Sequence, residues 1–188
     1  MAGDIPERGF AASHVAGNVC VSAFEVLNCP TAAVGVANSL YGQRFVAHKS
    51  GIISAAAVYI AVSSGNMDLA IYNTAVTTRA RLYSAGSTAV GTVNTWQVFT
   101  PNLAVNEGDH FDVAIAADNA TVSFGKNTAP TNVAVGQATA PMLNSPSGAG
   151  ANKIAWTIVT SFPAPATLTE TALVTTALLV PKIVVVIT

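Results

Sequence analysis

Two stretches of this chain alternate with a period of two residues. In "MDLAIYN", Met67, Leu69 and Ile71 fall on one side, and Asp68, Ala70 and Tyr72 on the other. In "HFDVAIAAD", Phe111, Val113 and Ile115 alternate with Asp112, Ala114 and Ala116. Side chains leave a β-strand on alternate faces, so this period commits each stretch to a strand with its larger residues turned to a core. Around them lie "GIISAAAVYIAV", "ARLYSAG" and "TVNTWQVF", each bounded by Gly, Ser or Asn. Short strands spaced by roughly 8–12 residues mark a sandwich or barrel, and long amphipathic helical stretches are absent. The sequence therefore predicts an all-β fold, an antiparallel two-sheet β-sandwich. Its core is expected to hold Leu69, Ile71, Phe111, Val113 and Ile115.

Three zones follow from this pattern. Residues 1–37 show no sustained period and carry Pro6 and Pro30; they read as an irregular N-terminal arm with a short strand within 19–26. Residues 38–126 are the sandwich core. Residues 127–188 contain only Lys153, Glu170 and Lys182 as charged groups. Their first part, rich in Pro, Gly, Ala and Asn, is a loop. "NKIAWTIVTSF" and "TALVTTALLVPKIVVVIT" then supply C-terminal strands, which complete the sandwich or form an oligomer interface. Pro181 has no N–H to donate, which places it at a bend between strands or on an edge.

The stretch "PKIVVVIT" puts Ile183, Val185 and Ile187 on one side and Val184 and Val186 on the other. Both faces are apolar, so both expect cover, and a bare edge of this kind would template aggregation. The cover is either the chain's own sandwich or neighbouring copies. The shortage of charge throughout 127–188 favours the copies. Ile183, Val185 and Ile187 are then the expected interface of a homo-oligomer, with a trimer favoured.

Composition removes several classes of function. The chain is 51% hydrophobic and 9% charged, against roughly 25% charged in average soluble domains. A net charge of -1 gives no attraction to nucleic acid or anionic lipid. No stretch approaches the roughly 18 uninterrupted apolar residues of a membrane helix, and "MAGDIPERGFAASH" lacks the basic start and apolar run of a secretory signal. Cys20 and Cys29 have no CxxC or Cys/His company and read as buried or unpaired thiols, with a single disulfide between them as the alternative and the redox compartment left open.

Chemistry is equally sparse. His14, His48 and His110 show no ligand spacing. In "GDHFD", Asp109 and Asp112 face opposite sides of a strand and read as solvated turn residues. Asp118 and Asn119 lack the Asp-rich loop of a calcium site. The triplet Asn119–Ala120–Thr121 is a glycosylation sequon, relevant only in a eukaryotic secretory setting. There is no nucleophile elbow, phosphate loop or dinucleotide fingerprint, and no carboxylate pair suited to glycoside hydrolysis. The reading is of a non-enzyme with no catalytic residue, cofactor or metal. Tyr59, Tyr72, Tyr83, Trp96 and Trp156 are the rings on which a sugar could stack. Trp96 is expected in the core; Trp156 and Tyr83 remain the candidates for glycan stacking.

The middle zone resembles a known family. "SLYGQRFVAHKSGIISAAAVYI" is similar to the opening of a jelly-roll-like β-sandwich module of bacteriophage virion proteins and bacterial surface proteins, through Gln43, Phe45, Ser50, Gly51 and Tyr59. "RLYSAGSTAVGTVNTWQVFTPNLAVNEGDHFDVAIAADN" resembles its second half, through Trp96, Leu103, Gly108, Phe111 and 117–119. Where a Pro-Gly turn is common in the family, this chain has Glu107–Gly108. Gly51 and Gly108 are expected at turns of positive φ. The resemblance implies attachment, decoration or glycan binding, and fold alone does not choose among them. The expected function is a structural protein of a phage virion, in capsid decoration or a head or tail fibre, partnered by other virion proteins. The alternative is an adhesin module that binds host glycans.

Overall fold

The two alternating stretches become neighbouring strands of one sheet. The computed structural model describes residues 13–15, 18–22, 31–34, 37–47, 49–75, 77–127, 155–169, 174–175, 180–181 and 183–188. Strands are numbered along the chain. Sheet B is built from β4 (Ser39–Val46), β6 (Asn66–Asn73), β7 (Thr78–Ser84), β8 (Thr88–Ala89), β11 (His110–Ala117), β13 (Ala155–Val159), β14 (Thr167–Thr169) and β15 (Val174–Thr175). Its order is β14-β7-β6-β11-β4-β13-β15, with β8 also on β6.

Sheet A contains β1 (Ser13–Val15), β2 (Asn18–Ser22), β3 (Thr31–Val34), β5 (Gly51–Val62), β9 (Thr95–Phe99), β10 (Leu103–Val105), β12 (Ser123–Asn127), β16 (Val180–Pro181) and β17 (Ile183–Ile187). It runs β1-β2-β17-β5-β12-β16, with β9 and β10 on β5 and β3 on β12. Every pairing is antiparallel. The two sheets form an all-β sandwich, one of them curled into half a barrel, with no helix among the described residues.

Between the sheets lies the main core. Leu69, Ile71, Val113 and Ile115 are fully buried, and Phe111 nearly so. The Phe111 ring stacks on Phe45 at 5.8 Å between centroids, within the 4.5–7 Å range of favourable aromatic pairs. Sheet A answers with Ile53, Val58, Ile60, Phe99, Phe124, Ile183, Val185 and Ile187.

That last trio corrects the expected oligomer interface. β17 lies between β5, where Val185 faces Ala56, and β2, where Val185 faces Val21. Ile183, Val185 and Ile187 are 1%, 0% and 1% exposed inside the chain's own core. They therefore have no surface left for a second copy. Val184 and Val186, which alternate with them, are only half-buried.

The three zones are also interleaved. β2 pairs with β17 and β3 with β12, so residues of the expected arm supply strands of sheet A. β13 extends sheet B beside β4. The charge-poor loop within 127–154 falls almost wholly outside the described residues. Pro181 sits in β16, which pairs with β12, just before β17 turns onto β5. β16 ends the order of sheet A, the edge placement that a missing N–H allows.

Gly108 has φ +85°, as its turn requires. Gly51 does not have positive φ. A Cβ there would meet the Thr188 carbonyl oxygen at 2.3 Å, so the residue is needed for close approach of two backbones.

Candidate functional site

Charge is divided unequally between the two sheets. The strands of sheet A contain one residue of the Asp, Glu, Lys and Arg types, Lys126; those of sheet B contain Arg44, Asp68, Arg79, Arg81 and Asp112. These five sit on the face of sheet B turned away from the core, where solvation is the ordinary expectation. Four of them are buried: Arg44 is 8% exposed, Arg79 1%, and Asp68 and Asp112 0%.

Over part of this face, and against Asp68 through the Ala164 amide, runs a strap, residues 160–166, from β13 at one side of sheet B to β14 at the other. Beneath it lie Leu40, Ala70, Tyr72, Ala114 and Ala116, packed with Ala164 and Leu168 into a second apolar cluster. Across this face Arg44, Asp112, Tyr72 and Arg81 are register neighbours.

Asp112 is bound from both flanks. Arg44 Nε donates to its Oδ1 at 3.0 Å, and the Arg79 guanidinium to its Oδ2. Asp68 accepts Ser84 Oγ at 2.8 Å, Gly86 N at 3.0 Å and Ala164 N at 3.0 Å. Tyr72 donates its hydroxyl to the Pro165 carbonyl at 2.7 Å. Burial pushes the Tyr72 phenol well above its usual range, against the opposing pull of Arg81. Both carboxylates are therefore occupied and hidden from solvent. They serve packing and hydrogen bonding, and Asp112 is not the solvated turn residue the sequence suggests.

At the end of β11, His110 Nδ1 is buried without a hydrogen-bond partner. Burial, reinforced by the nearby Arg44 charge and opposed by Asp109, pushes the imidazole below its ordinary pKa. Folding thus favours the neutral ring. Unfolding takes up a proton at pH values between the folded and unfolded pKa. This part of the stability is complete above about pH 6.5, the ordinary His value, and declines as pH falls toward the lower folded value. Urea midpoints at pH 7.5 and 5.5 should show the loss, and His110→Gln should remove that share of the slope.

Asp118 is also committed. Asn66 N donates to it at 3.0 Å, Asn66 Nδ2 at 2.9 Å and Asn119 Nδ2 at 2.6 Å. The Asn66 amide, and then these side-chain bonds, hold the carboxyl below the usual range against partial burial. Asn119 Oδ1 accepts from the amides of Thr121 and Val122, so both ends of the sequon side chain are engaged in the loop. No group of three or more His, Cys, Asp or Glu is arranged to hold a metal among the described residues.

Sheet B exposes Val159 and Leu82 singly; an open row of apolar side chains lies on sheet A. Opposite the buried set, β5, β9 and β17 expose a row in which Val98, Ala57 and Val184 are register neighbours. Val98 is 59% exposed and Ile52, on the same strand face, 46%. Next to this row Tyr59 pairs with Trp96, ring edge to ring face at 5.5 Å and 77°. Gly125 makes room for the pair, since a Cβ there would meet Tyr59 Cδ1 at 2.8 Å. The four strands β5, β9, β10 and β17 carry no charged residue. An uncharged aliphatic and aromatic face of this kind offers contact area and ring stacking.

The individual candidates are redistributed accordingly. Trp96 is on the outer face and half-buried; its strand neighbour Phe99, three positions on, takes the core site. Residues three apart on a strand face opposite ways, so only one of the two rings can point inward. Tyr83 packs half-buried against the main core, which removes its ring as a flat platform. Trp156 lies in β13 opposite Gly42, while its side chain falls outside the described residues. Cys29, His48 and the side chains of His14 and Cys20 also lie outside them. No protein-family model matches the chain, and no curated protein matches it.

Proposed function

We propose that this chain is a non-enzymatic structural component of a phage particle, in capsid decoration or a fibre, and that it assembles with further copies and other virion proteins through the outer face of sheet A. The observation that carries this reading is the division of charge. A chain with few charges buries four of them on the outer face of sheet B, and leaves a neutral face of Val98, Ile52, Ala57, Val184, Tyr59 and Trp96 half open. Two neutral faces can meet without burying an unpaired charge, the costly step in forming an interface. The resemblance of residues 38–126 to a virion module supports the setting.

Light scattering on the purified chain should give a multiple of its 19.1 kDa mass. Val98→Glu should reduce this to the single-chain mass with an unchanged melting temperature, because the side chain is 59% exposed and does not enter the core. A wild-type protein of single-chain mass at micromolar concentration would remove the interface. Mass spectrometry of purified particles tests the setting itself.

The Tyr59–Trp96 pair favours a second reading, a module that stacks host glycans on this face. A glycan array separates the two. Binding lost in Trp96→Ala would select the adhesin, and no binding by an assembled protein would leave the structural role.

A further inference from the structure

We propose that the strap and the short edge strand β14 that follows it, residues 160–169, form a releasable unit, which leaves and rejoins the rest of sheet B while the two-sheet core stays folded, with Asp68 as its latch. Among the described residues the buried apolar side chains form two clusters on opposite faces of sheet B, and the strap belongs only to the outer one. Its own fully buried contribution there is Ala164 and Leu168. The seat beneath is shallow along its middle, where Gly42, Ala114, Ala70 and Ser84 are register neighbours across four strands; Leu40, Tyr72 and the strap's own Phe162 are its larger members. Opening the strap therefore exposes far less apolar surface than separating the sheets.

What fixes the unit is polar: the ladder of β14 on β7 and the Thr160 amide on the Asn38 carbonyl at its ends, and side-chain bonds between them. Asp68 takes the Ala164 amide, Tyr72 the Pro165 carbonyl, and Arg81 the Ala164 carbonyl through its guanidinium and the Ala166 carbonyl through its amide at 2.9 Å. Water replaces each of these bonds on opening. The same opening hydrates the Asp68 carboxylate, whose burial opposes the closed state. Slack is short as well. Five interstrand steps separate β13 from β14, about 24 Å at the usual spacing, and eight residue steps from Val159 to Thr167 reach at most about 29 Å. Local openings of this kind occur below the free energy of global unfolding.

Hydrogen exchange on the full chain, read by mass spectrometry, tests the proposal. The amides of residues 160–169 and of Arg81 should exchange at least tenfold faster than those of 53–58 in the wild type. Asp68→Asn should speed the strap amides about tenfold more, the effect of weakening one charged hydrogen bond, and leave 53–58 unchanged. Tyr72→Phe, which removes only the hydroxyl on Pro165, should act the same way more weakly. A common exchange rate for strap and core in the wild type would overturn the strap. Faster strap exchange that neither variant alters would overturn the latch.

Discussion

Asp112→Ala is expected to destabilise the fold by about 3–5 kcal/mol, the range for removing one partner of a buried ion pair. That is a large share of the 5–15 kcal/mol typical of a domain. The side chain is fully buried between Arg44 and Arg79, themselves 8% and 1% exposed. Deleting the carboxylate leaves two cations in a low-dielectric layer without the anion between them, and their repulsion adds to the lost hydrogen bonds. Asp112→Asn keeps the shape and one acceptor, so its loss should be smaller but of the same sign. Asp112→Leu combined with Arg44→Met and Arg79→Met should recover most of the stability, since well-packed apolar residues often match or exceed a buried ionic group. Urea unfolding at pH 7 measures all three. A change below about 1 kcal/mol for Asp112→Ala, the value of an exposed pair, would mean that water reaches this layer.

The buried triad marks where the sequence stops being legible. Leu69, Ile71, Val113 and Ile115 can be placed in the core because period two is a local property of each strand. Asp68 and Asp112 occupy the alternate positions of the same strands. In a two-sheet sandwich such positions ordinarily meet water, and nothing within either strand says otherwise. Asp112 is closed in by Arg44 and Arg79 from neighbouring strands, and Asp68 by the stretch "TSFPAPA", more than 90 residues further along the chain. Pro-rich and non-periodic, it reads as a connecting loop. Only the sheet order, which sets β13 and β14 on opposite sides, draws it over the outer face. The neutral face of sheet A was legible in one respect and hidden in another. The missing charges in "GIISAAAVYIAV", "TWQVF" and "IVVVI" are plain to read. Which ring of "TWQVF" turns outward depends on the pairing of Phe99 with Ala56 and of Trp96 with Tyr59.

The position of β17 was the largest gap, and it leads to the second large effect. "KIVVVI" shows two apolar faces and so calls for two covers, but a strand flanked by its own chain and one flanked by a neighbour have the same pattern. In the structure the inward face is spent on the core. Removing residues 183–188 is therefore expected to prevent folding, and not merely to separate copies. Three buried aliphatic side chains would go with it, and truncating even one buried Ile to Ala costs roughly 2–5 kcal/mol. The deletion also strips one edge of β5 over residues 53–58 and removes the link that, among the described residues, joins β2 to the rest of sheet A, which leaves backbone donors and acceptors unpaired beside a hydrophobic layer. The sum exceeds what a domain of this size holds in reserve. Circular dichroism should show the loss of cooperative β-structure in the truncated chain. Ile183→Ala alone should stay folded with a lower urea midpoint. Val184→Thr and Val186→Thr, on the outward face, should leave that midpoint almost unchanged and act only on assembly. A truncated chain that still melted cooperatively would mean that sheet A closes without its central strand, with β2 and β5 meeting directly across the gap.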